Sequence, residues 1–313
     1  QHSISTCKDD QRKLHMVNFI STYQHEIQSA KKHLLAHSQL MTTSAGLIEV
    51  GMIGEGSPIL VSHGSGGGYD MGLWLGKLIQ GPYQYIAPSR FGYLRSPVPS
   101  NPTPESQADT FAALLDALNI TTVIMIGLSG GGASALQFAL RHSNRCKSLI
   151  MISAISQPIP PLPRSLRMIY PLMLKSDFLP WLLYTLSPRM VYQGNGISRE
   201  LYAFIKSDPK KMKVLEKLYK TTFPSTPRRD GMLNDINLMT DFITAPIEKI
   251  TAPTLVIHAM NDPIIPITSG ELLARTIPSA QFLKLEEGGH FVCVTHLERT
   301  IPVIRDFLGQ YAD

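Results

Sequence analysis

Several short runs of consecutive apolar residues, spaced by segments of helical pattern, constrain this chain more than any other feature. They are "PILVS", "YIAP", "VIMIG", "SLIMIS" and "TLVIHA". A strand that is apolar at successive positions buries both of its faces. Both faces of a sheet are buried when it is mostly parallel and helices cover each side. Segments of helical periodicity stand in the right places. "TPESQADTFAALLDALNI" has Thr103 placed to cap a helix and apolar residues at Phe111, Leu114, Leu115 and Leu118. Near the C-terminus, "TLVIHAMNDP", "SGELLARTI", "QFLKLEEGGHF" and "HLERTIPVIRDFLGQYA" read as strand, helix, strand and helix. Ahead of them all, "QLMTTSAGLIEVGMIGEG" reads as a hairpin with turn glycines at Gly46, Gly54 and Gly56. The fold class is therefore α/β, a mostly parallel central sheet with helices on both faces. With 313 residues, 43% hydrophobic and 17% charged, the chain has the apolar content to fill such a core.

Two stretches break the rhythm. Between Ser156 and Glu248 a proline-rich entry, "QPIPPLPRS", leads into helical patterns with no buried strand. This segment carries 13 Lys/Arg against 8 Asp/Glu and reads as a helical cap inserted into the sheet domain. At the other end, residues 1–12 are polar and read as loose, whereas "MVNFISTYQHEIQSAKKHLLAH" has the spacing of an amphipathic helix. The expected division is an N-terminal extension over 1–40, the first part of the core over 41–155, the cap over 156–248 and the second part of the core over 249–313. Packing on the domain is the expected use of the first helix, with membrane-surface contact through it or the cap as the other.

Composition excludes several classes. A formal charge of +5 and a pI near 9.0 are mildly basic, and no Lys/Arg stripe is interleaved with aromatics, so nucleic acid is not an expected partner. Cys7, Cys146 and Cys293 are an odd set without metal-ligand spacing. Their pattern suits a reducing compartment, and a cytoplasmic location is the expectation. The sequence opens on Gln1, so a signal or anchor removed ahead of it is kept as the alternative. No run reaches the ~18 apolar residues of a membrane span.

Chemistry concentrates in "VIMIGLSGGGASAL", where Gly127-Leu128-Ser129-Gly130-Gly131 satisfies G-x-S-x-G between a strand and a helix. A serine on so tight a turn needs small neighbours, and the turn leaves backbone N–H groups facing any negative charge that develops there. A glycine-rich turn that binds phosphate is the competing reading. A serine hydroxyl attacks only when a base takes its proton. Of ten histidines, His290 stands in a Gly-Gly loop at a strand end, while His258 lies within a strand, His142 on a helix flank and His296 in the last helix. His290 is the expected base. Asp262, beyond "TLVIHAMN", is the expected carboxylate, with Asp241 in the cap pattern as its competitor.

The order Ser129, Asp262, His290, the elbow after a central strand and the His-Gly loop "HGSGGG" resemble the α/β-hydrolase superfamily from about Gly46 to the C-terminus. The resemblance implies the α/β-hydrolase fold with an inserted cap. It also implies an oxyanion hole from the backbone N–H groups of Ser65 and Gly130, with His63 shaping the loop. Gly66, Leu128 and Trp181 are the expected substrate contacts. Many members carry Asp-x-Arg-Gly-x-Gly-x-Ser after the next strand. Here the run is "SRFGYLRS", with Ser89 for the Asp and Leu94 for the second Gly. Serine at the elbow separates the chain from dehalogenases and epoxide hydrolases that use Asp there. The implied activity is a serine hydrolase acting on a small-molecule carboxylic ester, apolar or acyl-chain in character, with no cofactor and no metal. C–C bond, lactone, amide and prolyl-peptide hydrolysis are alternatives on the same triad, and a non-catalytic ligand receptor is a different class.

Overall fold

The computed structural model describes residues 2–161, 163–194, 196–240 and 245–312. The chain runs α1 (His2–Ala36), β1 (Gln39–Thr43), β2 (Gly46–Ile53), β3 (Ser57–Ser62), α2 (Tyr69–Ile79), β4 (Tyr83–Pro88), α3 (Pro104–Ala117), β5 (Val123–Leu128), α4 (Gly132–Arg141) and β6 (Cys146–Ile152). Helices α5 (Arg164–Met173), α6 (Phe178–Leu186), α7 (Pro188–Gly194), α8 (Arg199–Ser207), α9 (Pro209–Lys220) and α10 (Arg229–Thr240) follow without an intervening strand among the described residues. The last part is β7 (Thr254–Ala259), α11 (Ile267–Thr276), β8 (Gln281–Leu285), α12 (Val292–Thr295) and α13 (Leu297–Tyr311).

The described strands form one sheet in the order β1-β2-β4-β3-β5-β6-β7-β8. β1 and β2 form the expected hairpin, β2 pairs antiparallel with β4, and every other pairing is parallel. The apolar runs bury two faces, as their sequence requires. Ile59, Val61, Ile124, Ile126 and Ile257 join Leu75 of α2 and Phe307 of α13 on one side. Leu60, Met125, Met151 and Val256 join Phe111 of α3, Leu136 of α4 and Leu273 of α11 on the other. Thr103 caps α3 as expected: its hydroxyl accepts from the Ser106 N–H, and the Ser106 hydroxyl accepts from the Thr103 N–H.

Helix α1 differs from the sequence expectation by starting at His2 instead of near Met16. Its later turns are amphipathic, with Phe19, Tyr23, Ile27, Ala30 and Leu34 turned toward the domain. Hydrogen bonds help to fix it: the Tyr69 hydroxyl donates to the Leu34 carbonyl, and the Trp181 indole N–H donates to Glu26.

Candidate active site

Three strand ends and one loop converge at the carboxyl edge of the sheet. β5, between β3 and β6, ends at Leu128, and Ser129 follows with φ 48°. A non-glycine residue in this region is strained by about 1–3 kcal/mol and is held only by a tightly specified surround. The glycines supply that surround. A Cβ on Gly127 would lie 2.8 Å from the Ala135 Cβ, and one on Gly131 would run into the Ser62 and His63 carbonyl oxygens. The hydroxyl is thereby lifted off the sheet at the entry to α4.

The Ser129 Oγ lies 2.8 Å from His290 Nε2, and His290 Nδ1 lies 2.8 Å from Asp262 Oδ2. With Nδ1–H donating to the carboxylate, Nε2 is the lone-pair nitrogen facing the hydroxyl. His290 reaches this position from the loop after β8, where the Gly289 N–H donates to Asn261 Oδ1 at 2.9 Å. Asp262 is fixed more completely. Its Oδ1 accepts from the Ile264 and Ile265 N–H groups at 2.9 and 3.0 Å. His258 adds a contact that the sequence reading missed, since its Nε2 stands 3.3 Å from Asp262 Oδ2 and 2.9 Å from the Ile265 carbonyl. Burial alone would raise the Asp262 pKa. The bonds from His258 and His290, with the charge His290 can carry, outweigh it and hold the carboxyl well below the usual carboxylate range. Asp262 therefore keeps its charge through the neutral and mildly acidic range. Asp241 lies outside the described residues.

The loop after β3 faces the elbow. A Cβ on Gly64 would lie 3.1 Å from that of Ser129, and one on Gly130 would lie 2.5 Å from Ser65 Oγ, so Ser65 and Gly130 are neighbours beside the serine. His63 is wholly buried: its Nε2 accepts from the Arg90 N–H at 2.9 Å and its Nδ1 lies 2.7 Å from the Gly64 carbonyl. Burial, reinforced by the Arg90 charge, pushes its pKa well below the ordinary histidine value, so it is a neutral loop support.

Behind this loop stands a buried cluster that the sequence reading did not find. Asp235, projecting from α10, accepts from Arg90 Nη1 at 2.8 Å and Nη2 at 2.6 Å, from the Tyr93 hydroxyl at 2.6 Å and from Ser65 Oγ at 2.5 Å. Arg90 Nε also donates to the His63 carbonyl at 2.9 Å. Burial would lower the Arg90 pKa, but Asp235 and Tyr93 raise it above its ordinary value. A bidentate, fully bonded pair of this kind is what a buried ion pair needs to offset its desolvation. The signal was present in "SRFGYLRS", whose departures from the commoner run surround Arg90 and Tyr93. The missing Asp at 89 is also accounted for: Ser89 donates to buried Glu49 of β2 at 3.0 Å, and Arg95 pairs with the same carboxylate at 2.7 Å. Leu94, where the commoner run has Gly, has φ 53°.

The expected substrate contacts separate. Gly66 is open, with Met232 Cε 3.8 Å and Thr222 Cγ2 4.0 Å from a Cβ built there. Leu128 has a side chain in the core under the site. Trp181 is a correction: it is 3% exposed and packs on Phe19 and Tyr23 of α1, with ring centroids 4.8 and 5.1 Å away. Its indole is consumed by the N-terminal helix, because α6 turns its aromatic side toward α1. A cavity beside the elbow is lined instead by Arg90, Phe91, Gly130, Asp235, Leu238 and Met239. Among the described residues no group of His, Cys, Asp and Glu is arranged to hold a metal ion.

Comparison with known proteins agrees with this architecture. The chain is 27% identical over 281 residues to a 2-hydroxymuconate semialdehyde hydrolase of Pseudomonas putida, covering 82% of this chain and 89% of that protein. It is 28% identical over 265 residues to a poly(3-hydroxyalkanoate) depolymerase of Ectopseudomonas oleovorans, covering 81% and 85%. An alpha/beta hydrolase fold protein from Nakamurella multipartita superposes with a TM-score of 0.74 at 26% identity, over 88% of this chain and 98% of that one. The model of the alpha/beta hydrolase fold matches residues 57–297, from the first residue of β3 to the first residue of α13, and this chain belongs to that family.

Proposed function

We propose that the protein is a serine hydrolase that cleaves a carboxylic ester of apolar or acyl-chain character through an acyl-enzyme intermediate. The observation that carries this reading is the chain from Ser129 to His290 to Asp262, two contacts of 2.8 Å each, on a serine held at φ 48°. Ser129 Oγ attacks the carbonyl carbon while its proton passes to His290 Nε2. The negative charge moves to the carbonyl oxygen, which the N–H groups of Ser65 and Gly130 receive. One donor of this kind contributes ~3 kcal/mol to the transition state. Asp262, charged and fixed by four donors, stabilises the imidazolium. Collapse expels the alcohol, which takes the proton from His290, and a water activated by the same imidazole releases the acid. Met232 and Met239 beside Gly66 and Gly130 support an apolar acyl group, since thioethers adapt to varied shapes.

The similarity to a 2-hydroxymuconate semialdehyde hydrolase favours a second reading on the same residues, hydrolysis of a C–C bond beside a carbonyl. One experiment separates the two. A panel of acyl esters of rising chain length and 2-hydroxymuconate semialdehyde are each given to the wild type and to Ser129→Ala. The ester reading requires turnover of at least one ester that falls by about 10⁶-fold in the variant. Consumption of the semialdehyde with every ester left intact overturns it. A fluorophosphonate that labels a residue other than Ser129 overturns both.

A further inference from the structure

Helix α6, "FLPWLLYTL", contains no charged residue. A helix apolar on all sides is normally buried on all sides. Here α6 is covered on the side where Trp181 lies against Phe19 and Tyr23 of α1 and Tyr184 stacks on Tyr219. Leu179, Leu183 and Leu186, spaced i, i+4 and i+7, share another face, and all three are exposed, Leu186 at 67%. The helices before and after α6 in the chain carry the same feature. On α5, Met168 is 76% and Leu172 62% exposed at i and i+4, with Ile169 beside them; on α7, Met190 is 64% exposed. Eight large apolar side chains of three consecutive helices, counting Phe178, thus face solvent. Scattered exposed leucines need no explanation, but a concentration of this kind marks an interaction surface.

The charges identify the partner. From 163 to 190 the exposed ionic residues are Arg164, Arg167, Lys175 and Arg189, all cationic. The one carboxylate, Asp177, is buried and accepts from the Ser225 hydroxyl and from the N–H and hydroxyl of Thr226. Apolar side chains that enter the acyl region and cations that meet lipid phosphates are the two elements of interfacial binding. A spanning role is not involved, since no described helix is long and apolar enough to cross a bilayer. We propose that the α5–α7 surface docks the protein on an anionic phospholipid bilayer, with Met168, Leu172, Leu186 and Met190 inserted at the interface and the four cations at headgroup level. None of these exposed side chains lines the cavity beside the elbow, so docking and hydrolysis are independently testable.

Co-sedimentation with vesicles of phosphatidylcholine and phosphatidylglycerol in equal parts, and with phosphatidylcholine alone, tests the assignment. The wild type is expected to sediment with the mixed vesicles and to be released by high salt. Arg164→Gln and Arg167→Gln each weaken the partition about fivefold. Met168→Glu, Leu172→Glu and Leu186→Glu together weaken it by more than about a hundredfold. All these positions are exposed, so unchanged circular dichroism and unchanged hydrolysis of a short soluble ester show that the fold and site persist. Binding that ignores the substitutions, equal binding to the uncharged vesicles, or no binding at all overturns the proposal. So does a wild type that self-associates in solution and becomes monomeric in the triple variant, because the surface is then covered by a second copy of the chain.

Discussion

Helix α10 and helices α5–α7 belong to the same insertion between β6 and β7, yet buried ion pairs join α10 to the core and aromatic packing holds most of α5–α7. α10 and the turn before it are joined to the core by buried polar contacts. Asp235 pairs with Arg90, Arg228 pairs bidentately with Asp70 at 2.8 and 3.1 Å, and backbone bonds run from Gly231 N to the Gly92 carbonyl and from Leu94 N to the Pro227 carbonyl. Helices α5–α7 are attached by the Trp181 packing on α1, by an aromatic cluster of Tyr184 and Tyr192 with Tyr219 of α9, and by the Asp177 bonds to Ser225 and Thr226. Directional charge pairs in a dry environment fix one geometry, whereas apolar contact on a surface helix tolerates small shifts. The α10 half is thus tied by directional bonds to the loop beside Ser129, and the α5–α7 half is expected to be the more adaptable.

The largest expected effect comes from breaking the first half. Asp235→Ala leaves the buried Arg90 guanidinium uncompensated and should cost about 3–5 kcal/mol in denaturant unfolding. It also frees Ser65 Oγ and the loop that carries the proposed oxyanion donor, so ester kcat should fall by about a hundredfold. Asp235→Asn, which keeps an acceptor toward Ser65, should recover part of kcat but little of the stability. If both variants retain full kcat, α10 does not hold the loop.

Trp181→Ala addresses the other half, with a smaller and more local effect. Removing an indole buried against Phe19 and Tyr23 should cost about 3 kcal/mol, felt by α1 and α6. The rate at which a small phosphonate labels Ser129 should stay within about twofold of the wild type, because Trp181 does not border the site. A labelling rate that collapses with the indole would show that the two halves move as one.

The contrast between the halves also explains what the sequence could convey. The strands were legible because a buried parallel strand has to be apolar at every position, and the elbow because its glycines answer to close approaches that only glycine permits. Ser129, Asp262 and His290 lie at strand ends, where short local signatures point to them. Asp235 had no such signature. One acidic residue on an amphipathic helix resembles a solvated charge, and its partner Arg90 lies 145 residues away. Trp181 was misread for a related reason: α6 is apolar on every side, so its pattern cannot say which side meets α1, the site or a third surface. The composition of either half does not say what it packs against, and only the contacts do.

The smallest effect is read on the unmodified protein by native-state hydrogen exchange. Amide protection follows the free energy of the opening that exposes each group, and segments with few buried contacts open first. Many side chains of α5–α7 face solvent on apolar surfaces, so their opening exposes chiefly the Trp181 and Tyr192 rings and breaks no bidentate ion pair. Opening α10 has to separate Arg90 from Asp235 and, with the turn before it, Arg228 from Asp70, and each of these charges is poorly hydrated while buried. The amides of α10 should therefore exchange at least about tenfold more slowly than those of α5–α7, and closer to the rate of β5. Anionic vesicles should slow exchange in α5–α7 and leave α10 unchanged, since a bilayer covers only the first surface. Equal protection in the two halves would mean that the insertion opens as a single unit, and the division of labour drawn from its contacts would be lost.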